Sequence, residues 1–168
     1  MNDPRMNKSD RGSTAKKKSA RTVMVLNGPN IGRLGKRNPE MYGLRSYDEL
    51  AQILNMSARD LGVQVDVRQT DSEAEMISWL HEAADGHLPV ILNPGAWTHY
   101  SYAVADAAEE IDLLVEVHLS NIYAREEFRH KSVISPIAIA VIAGLGLPGY
   151  DCALGFIAGF LGALDGKR

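Results

Sequence analysis

A single cysteine, Cys152, is all the thiol the chain has, so it can form no internal disulfide and, alone, no thiolate zinc site. That fits a reducing, cytoplasmic compartment, with Cys152 expected in the core. Long apolar runs are missing too: across residues 137–164, Pro148, Gly149 and Asp151 cut the one candidate into pieces shorter than the ~20 residues a membrane span requires. A buried strand followed by a buried helix suits that stretch better. Residues 1–21 have hardly any apolar side chain to set against the entropy of ordering, and no apolar middle of a signal peptide. They read as a disordered basic tail; Lys16, Lys17 and Lys18 can touch a polyanion, but a solvated tail is the simpler reading. The tail takes seven Lys or Arg and two Asp from chain totals of 18 basic and 21 acidic residues. What is left over 22–168 is 11 basic and 19 acidic residues, a formal charge of −8, which argues against nucleic-acid binding by the body. No internal repeat is present.

With 45% of its residues hydrophobic and 23% charged, the chain suits one globular domain over 22–168. Short β-compatible runs stand at 22–26 (TVMVL), 63–68 (VQVDVR), 89–92 (PVIL), 113–118 (LLVEVH) and 137–143 (IAIAVIA). Helical features fill the intervals at roughly 46–61, 72–85, 99–110 and 147–164. Ser46-x-x-Glu49 and Ser72-x-x-Glu75 both have the pattern of a capping box, Gly62 closes the first helix, and Thr98 is the expected cap of the third. Strands alternating with helices imply a parallel sheet covered on both faces. For five strands the expected class is α/β, a flavodoxin-like open sheet of order 2-1-3-4-5, with ligands bound beyond the carboxyl ends of the strands. The irregular segments after the first, third and fourth strands should therefore meet at one edge.

The first of these, VLNGPNIGRLGKRNPEMYG over 25–43, places glycines at 28, 32 and 35. A dinucleotide fingerprint needs G-x-G-x-x-G and a Walker loop needs Gly-Lys followed by Ser or Thr, whereas Gly35-Lys36 is followed by Arg37; both nucleotide readings fail on spacing. At about 20 residues between strand and helix, the segment suits a mobile lid as well as an ordinary surface loop. Its Tyr42 has Arg33, Lys36 and Arg37 close in sequence, cations that stabilise a phenolate and would suit it as a general base. After the third strand, Asn93-Pro-Gly-Ala-Trp-Thr-His99 offers a polar binding wall or a plain connection, with His99, Asp106 and Glu110 recurring at helical spacing. The fourth strand ends in EVHLSNIYAREEFR, in which Glu116 and His118 share a face because strand side chains alternate. The carboxylate can then fix the imidazole tautomer and favour its protonated form, a plausible general acid. Arg125 and Arg129 would share a face if the segment is helical, reaching a polar ligand or marking a surface helix.

Taken in order, the Asn-Gly-Pro-Asn-x-x-x-Leu-Gly-x-Arg…Tyr-Gly lid, the Asn-Pro-Gly-Ala-x-Thr-His segment and Glu-Val-His-x-Ser-Asn-x-x-x-Arg-Glu-x-Phe-Arg resemble type II 3-dehydroquinate dehydratase over about residues 22–165. The resemblance implies trimers assembled into a homododecamer, no cofactor, and anti elimination of water from 3-dehydroquinate through an enolate. It implies Tyr42 as the base at C2, Arg37 as the lid cation that lowers its pKa, His118 as the acid for the departing C1 hydroxyl, Glu116 as its orienting partner, and Asn30 as the holder of an enolate-stabilising water. Asn93 and His99 match residues that hold ring hydroxyls or carboxylate, Leu119 and Ser120 the pair that receives the carboxylate, and Arg129 a ring-hydroxyl ligand. Asp106 resembles an acidic group contributed across the trimer interface, and Arg125 serves the lid, the interface or the ligand. Where relatives often carry a glycine before the last strand, this chain has Ala140.

The chemistry agrees with this inventory. Abstracting a proton α to a ketone requires a base, a stabiliser for the oxyanion and an acid for the leaving hydroxide. A lysine Schiff base needs a buried lysine, and none of Lys8, Lys16, Lys17, Lys18, Lys36, Lys131 and Lys167 falls in a strand run. The rival readings are quinate breakdown by the same reaction, a flavodoxin-like binding module without chemistry, and an inactive scaffold.

Overall fold

The computed structural model describes residues 21–36 and 44–165. Five strands, β1 (Thr22–Asn27), β2 (Gln64–Gln69), β3 (Val90–Asn93), β4 (Leu114–His118) and β5 (Ala140–Ala143), form one sheet in the order β2-β1-β3-β4-β5. Every neighbouring pair is parallel, so the expected architecture and strand order hold. Four helices connect or cover them: α1 (Tyr47–Asp60), α2 (Glu73–Asp85), α3 (Tyr102–Glu109) and α4 (Pro148–Asp165).

Because strand side chains alternate, the sheet has two apolar faces. On one, Val23, Val25, Ile91, Val115 and Val117 pack with Leu50 and Leu54 of α1 and with Tyr150, Leu154 and Ile157 of α4. On the other, Met24, Leu26, Val90, Leu92 and Leu114 meet Met76 and Leu80 of α2 and Val104 and Ala108 of α3. The order reverses between β1 and β3, whose last residues Asn27 and Asn93 are register partners. A crevice opens beyond the carboxyl ends of strands at such a reversal, and the loops after β1 and β3 flank it.

Local chemistry sets the boundaries. Ser46 and Glu49 form a reciprocal capping box at α1, with Glu49 N donating to Ser46 Oγ at 3.2 Å and Ser46 N donating to Glu49 Oε2 at 2.7 Å. At α2 the Ser72 hydroxyl likewise accepts from Glu75 N, at 3.4 Å. The third helix corrects the sequence reading. A 3-10 turn over Gly95–His99 comes first, Tyr100 breaks it, and Ser101, not Thr98, caps α3 by accepting from Val104 N. His99 therefore shares no helix face with Asp106 and Glu110. The segment after β4 is not a continuous helix either: Arg125, extended at φ −114° and ψ −162°, separates 3-10 turns over Ile122–Ala124 and Glu127–His130. Cys152 is exposed rather than in the core, because α4 turns Tyr150, Ala153, Leu154 and Ile157 inward. Among the described residues no helix is long and apolar enough to cross a membrane. The tail expected over 1–21 falls, except for Arg21, outside the described residues.

Candidate active site

The loops after β1, β3 and β4 do converge, around a concave cleft lined by polar and charged side chains. Asn30 and Arg33 come from the first loop, Asn93 and His99 from the second, and His118, Leu119, Ser120, Arg125 and Arg129 from the third. The two arginines thus reach one cleft, Arg125 from an extended link and Arg129 from the turn after it, without the helical face expected of them.

His118 and Glu116 are both buried on one face of β4, as alternation requires, and His118 Nε2 lies 2.7 Å from Glu116 Oε1. Since an ionised carboxylate only accepts, Nε2 carries the proton and Nδ1 is the nitrogen left for a ligand. A buried carboxylate is costly unless donors surround it. Here Thr98 Oγ1 donates to Oε1 at 2.5 Å, Ser135 Oγ donates to Oε2, and Ser132 Oγ stands 3.4 Å from Oε1. Burial pushes the Glu116 carboxyl up, but the hydrogen bond and charge of His118, with the Ser135 and Thr98 hydroxyls, outweigh it and hold the group below the ordinary carboxylate value.

Asn93 ends β3 in a buried polar network. Its Nδ2 donates to the Tyr150 hydroxyl at 2.8 Å, its Oδ1 accepts from Gly95 N at 3.2 Å, and the Tyr150 hydroxyl donates to Asn27 Oδ1 at 2.5 Å. Asn27 Nδ2 in turn donates to Arg68 O at 3.0 Å. Burial raises the Tyr150 phenol above its ordinary value, so Tyr150 is a neutral donor. His99 Nδ1 lies 2.7 Å from Lys131 O, which can only accept; Nδ1 therefore holds a proton. Burial, and then the charge of Arg129, lower the His99 pKa and favour the neutral ring with an accepting Nε2. Arg129 is fixed by Glu126 at 2.7 Å and lies over the Phe128 ring, while Arg125 Nη1 donates to Ser120 Oγ at 3.4 Å.

Asn30 adopts the left-handed conformation, φ 69°, unusual for a side chain other than glycine. Its amide donates to Asp71 Oδ1 at 2.9 Å, and Gln69 Nε2 donates to the same oxygen at 3.1 Å, so the loop after β2 braces it. Asp106 is exposed on α3 and is not among the residues lining the cleft of its own chain. Tyr42 and Arg37 lie outside the described residues. The sequence reading missed Thr98 as a partner of Glu116, and assigned no role to Ser132, Ser135, Asp71, Asn27 or Tyr150. For Asn27 and Tyr150 the one signal is a polar group in a segment otherwise buried; Asp71, Ser132 and Ser135 lie in loops, where polar side chains carry none.

The comparisons with known proteins point the same way. Residues 21–158 match the family model described as dehydroquinase class II. A protein of Kineococcus radiotolerans named 3-dehydroquinate dehydratase is 55% identical over 138 residues, covering 82% of this chain and 94% of that protein. One of the same name from Mycobacterium tuberculosis is 52% identical over 141 residues, covering 83% and 96%. The crystal structure of a type II dehydroquinase from Propionibacterium acnes superposes with a TM-score of 0.81 at 53% identity, covering 83% of this chain and 97% of the other. Matched along nearly the whole described fold, with Glu116 and His118 paired at the strand-end cleft, this chain belongs to the class II dehydroquinase family.

Proposed function

We propose that this chain is a hydro-lyase of the type II class, removing water from 3-dehydroquinate by anti elimination through an enolate to give 3-dehydroshikimate in the shikimate pathway. The buried Glu116–His118 pair, whose His118 lines the cleft, is the observation that carries this reading. A lone histidine can serve either side of a proton transfer. One hydrogen-bonded to a carboxylate through Nε2 is fixed in place, with Nδ1 left to pass a proton to a departing hydroxide.

The remaining roles follow the reaction. Tyr42, its phenolate stabilised by Arg37, takes the C2 proton, and the electron pair moves to the C3 carbonyl oxygen as an enolate. A water on Asn30 donates to that oxygen, a contribution of about 10²–10³ in rate where a single such donor has been removed from other sites. Collapse of the enolate expels the C1 hydroxyl, which takes its proton from His118. Asn93 and neutral His99 accept from or donate to ring hydroxyls or carboxylate, and Leu119 with Ser120 receives the carboxylate. Arg129, already oriented by Glu126 and Phe128, holds a ring hydroxyl. Arg125, bonded to Ser120, supports that end of the cleft. Asp106 reaches the cleft of a neighbouring subunit, in trimers that build a homododecamer working in the cytoplasm. The reaction calls for no cofactor.

The product is a conjugated enone and the substrate is not, so ultraviolet absorbance decides the matter. Wild type mixed with 3-dehydroquinate should show a rise that Tyr42→Phe lacks while still binding substrate. No rise with folded wild type would refute the activity; an equal rise in both would refute the base.

A further inference from the structure

We propose that the Thr98, Ser132 and Ser135 hydroxyls are positioning residues that hold Glu116 as a charged acceptor and so keep the catalytic proton on His118. The inference rests on the elimination reading, in which His118 is the acid. Glu116 is fully buried, and its two oxygens meet four polar side chains drawn from three separate segments: His118 on β4, Thr98 on the turn after β3, and Ser132 and Ser135 on the loop before β5.

With Glu116 ionised, the proton directions in this cluster are set. Thr98 has one hydroxyl proton and spends it on Glu116 Oε1 at 2.5 Å. The contact between Thr98 Oγ1 and Ser132 Oγ at 2.7 Å must then run from Ser132 to Thr98. Ser132 Oγ is itself held as an acceptor by Ile134 N at 3.0 Å and Ser135 N at 2.8 Å, so the loop backbone fixes the start of the chain. The result is a one-way relay: loop amides to Ser132, Ser132 to Thr98, Thr98 to Glu116, with Ser135 closing the other carboxylate oxygen.

Such a cage matters because the proton shared by a buried carboxylate and imidazole has two places to sit. On His118 it is available to the leaving group; on Glu116 it neutralises the pair and the acid is lost. Hydroxyl donors stabilise the charged carboxylate more than the neutral acid, so each one favours His118 as the carrier. Among the described residues His99 also acts on the pair, and burial and Arg129 keep it toward neutrality.

The test separates the hydroxyl from the shape of its side chain. Thr98→Val keeps the branched outline and removes the donor, whereas Thr98→Ser keeps the donor and removes a methyl. If the cage acts through hydrogen bonding, Thr98→Val lowers kcat by about tenfold or more with KM nearly constant, and Thr98→Ser recovers it to within about threefold. The reverse order, Val active and Ser impaired, would mean a packing role and overturn the proposal. Ser135→Ala supplies a second variant with the same expectation should Thr98→Val fold poorly; normal kcat there would also overturn it. Nitrogen-15 resonances of the His118 ring give a readout independent of turnover. They should move toward the neutral imidazole in Thr98→Val and Ser135→Ala and not in Thr98→Ser, and an unmoved ring would refute the cage even if the wild type proved to act on another substrate.

Discussion

Glu116 shows what a single buried charge does to the whole chain. Its carboxyl is held below the unfolded value of about 4.3, so the folded state carries fewer protons than the unfolded state as acid is added. Its stabilising contribution is complete above that unfolded value and is lost as pH falls through the lower folded one. Glu116→Gln does not titrate. The gap in urea midpoint between wild type and this variant should therefore narrow on going from pH 6 to pH 3, and a constant gap would refute the assignment. Glu49, Glu82 and Glu126 are also lowered, by hydrogen bonds from Ser46, Arg68 and, for Glu126, its own backbone and Arg129, but they titrate alike in both proteins and drop out. At this scale the sequence was most informative where partners are close along the chain. Glu116 and His118 are two residues apart, and strand alternation alone puts them on one side. Thr98 and Ser135 reach the same carboxylate from 18 and 19 residues away, and no local pattern marks that distance.

Between elements, the loops after β1 and β3 are held together at Gly28, whose amide donates to Asn93 O at 2.7 Å. A Cβ built on Gly28 would lie 2.8 Å from Pro94 O and 2.9 Å from Pro94 C, both backbone atoms that cannot swing aside. Gly28→Ala should accordingly separate the two loops, costing about 1–3 kcal/mol of stability by the usual scale of overpacking and lowering kcat through displaced Asn30 and Asn93. Denaturant unfolding and steady-state kinetics together check it; a variant as stable and active as wild type would show that the loops tolerate the gap. Strand and helix counts were legible in the spacing of apolar runs and capping patterns, because periodicity and helix starts are local properties, whereas strand order came from the usual open arrangement of five alternating strands. What escaped was the detail of irregular segments. The 99–110 interval divides because Thr98 turns its hydroxyl to Glu116 and leaves capping to Ser101, and Arg125 lies extended between two short turns, the second of which holds Arg129. Tertiary hydrogen bonds override helix periodicity there. Asn30 is a further case, since its left-handed backbone is braced by Asp71, 41 residues away.

The folded chain leaves surface that a free monomer has little use for. Tyr100 and Tyr102 are exposed at the start of the helix that carries Asp106, Ile139 and Val141 lie along the edge strand β5, and Phe156 and Phe160 lie side by side on α4. Exposed aromatics suit subunit contacts, and an uncovered edge strand invites pairing. If the assembly is a dodecamer built from trimers, light scattering should return about twelve times the 18.4 kDa chain mass. Mass alone does not say whose Asp106 completes a cleft, but subunit mixing does. His118→Ala removes the acid from the cleft of its own chain, and Asp106→Ala removes a carboxylate from whichever cleft it serves. Should Asp106 cross to a neighbour, a mixed trimer contains clefts that combine His118 of the Asp106→Ala chain with an intact Asp106 from the other. Refolding the two variants together then restores activity above that of either alone. Were Asp106 to act on its own chain, every cleft in the mixture would keep one defect and no activity would return. Its exposure and its absence from the cleft lining of its own chain favour the first outcome.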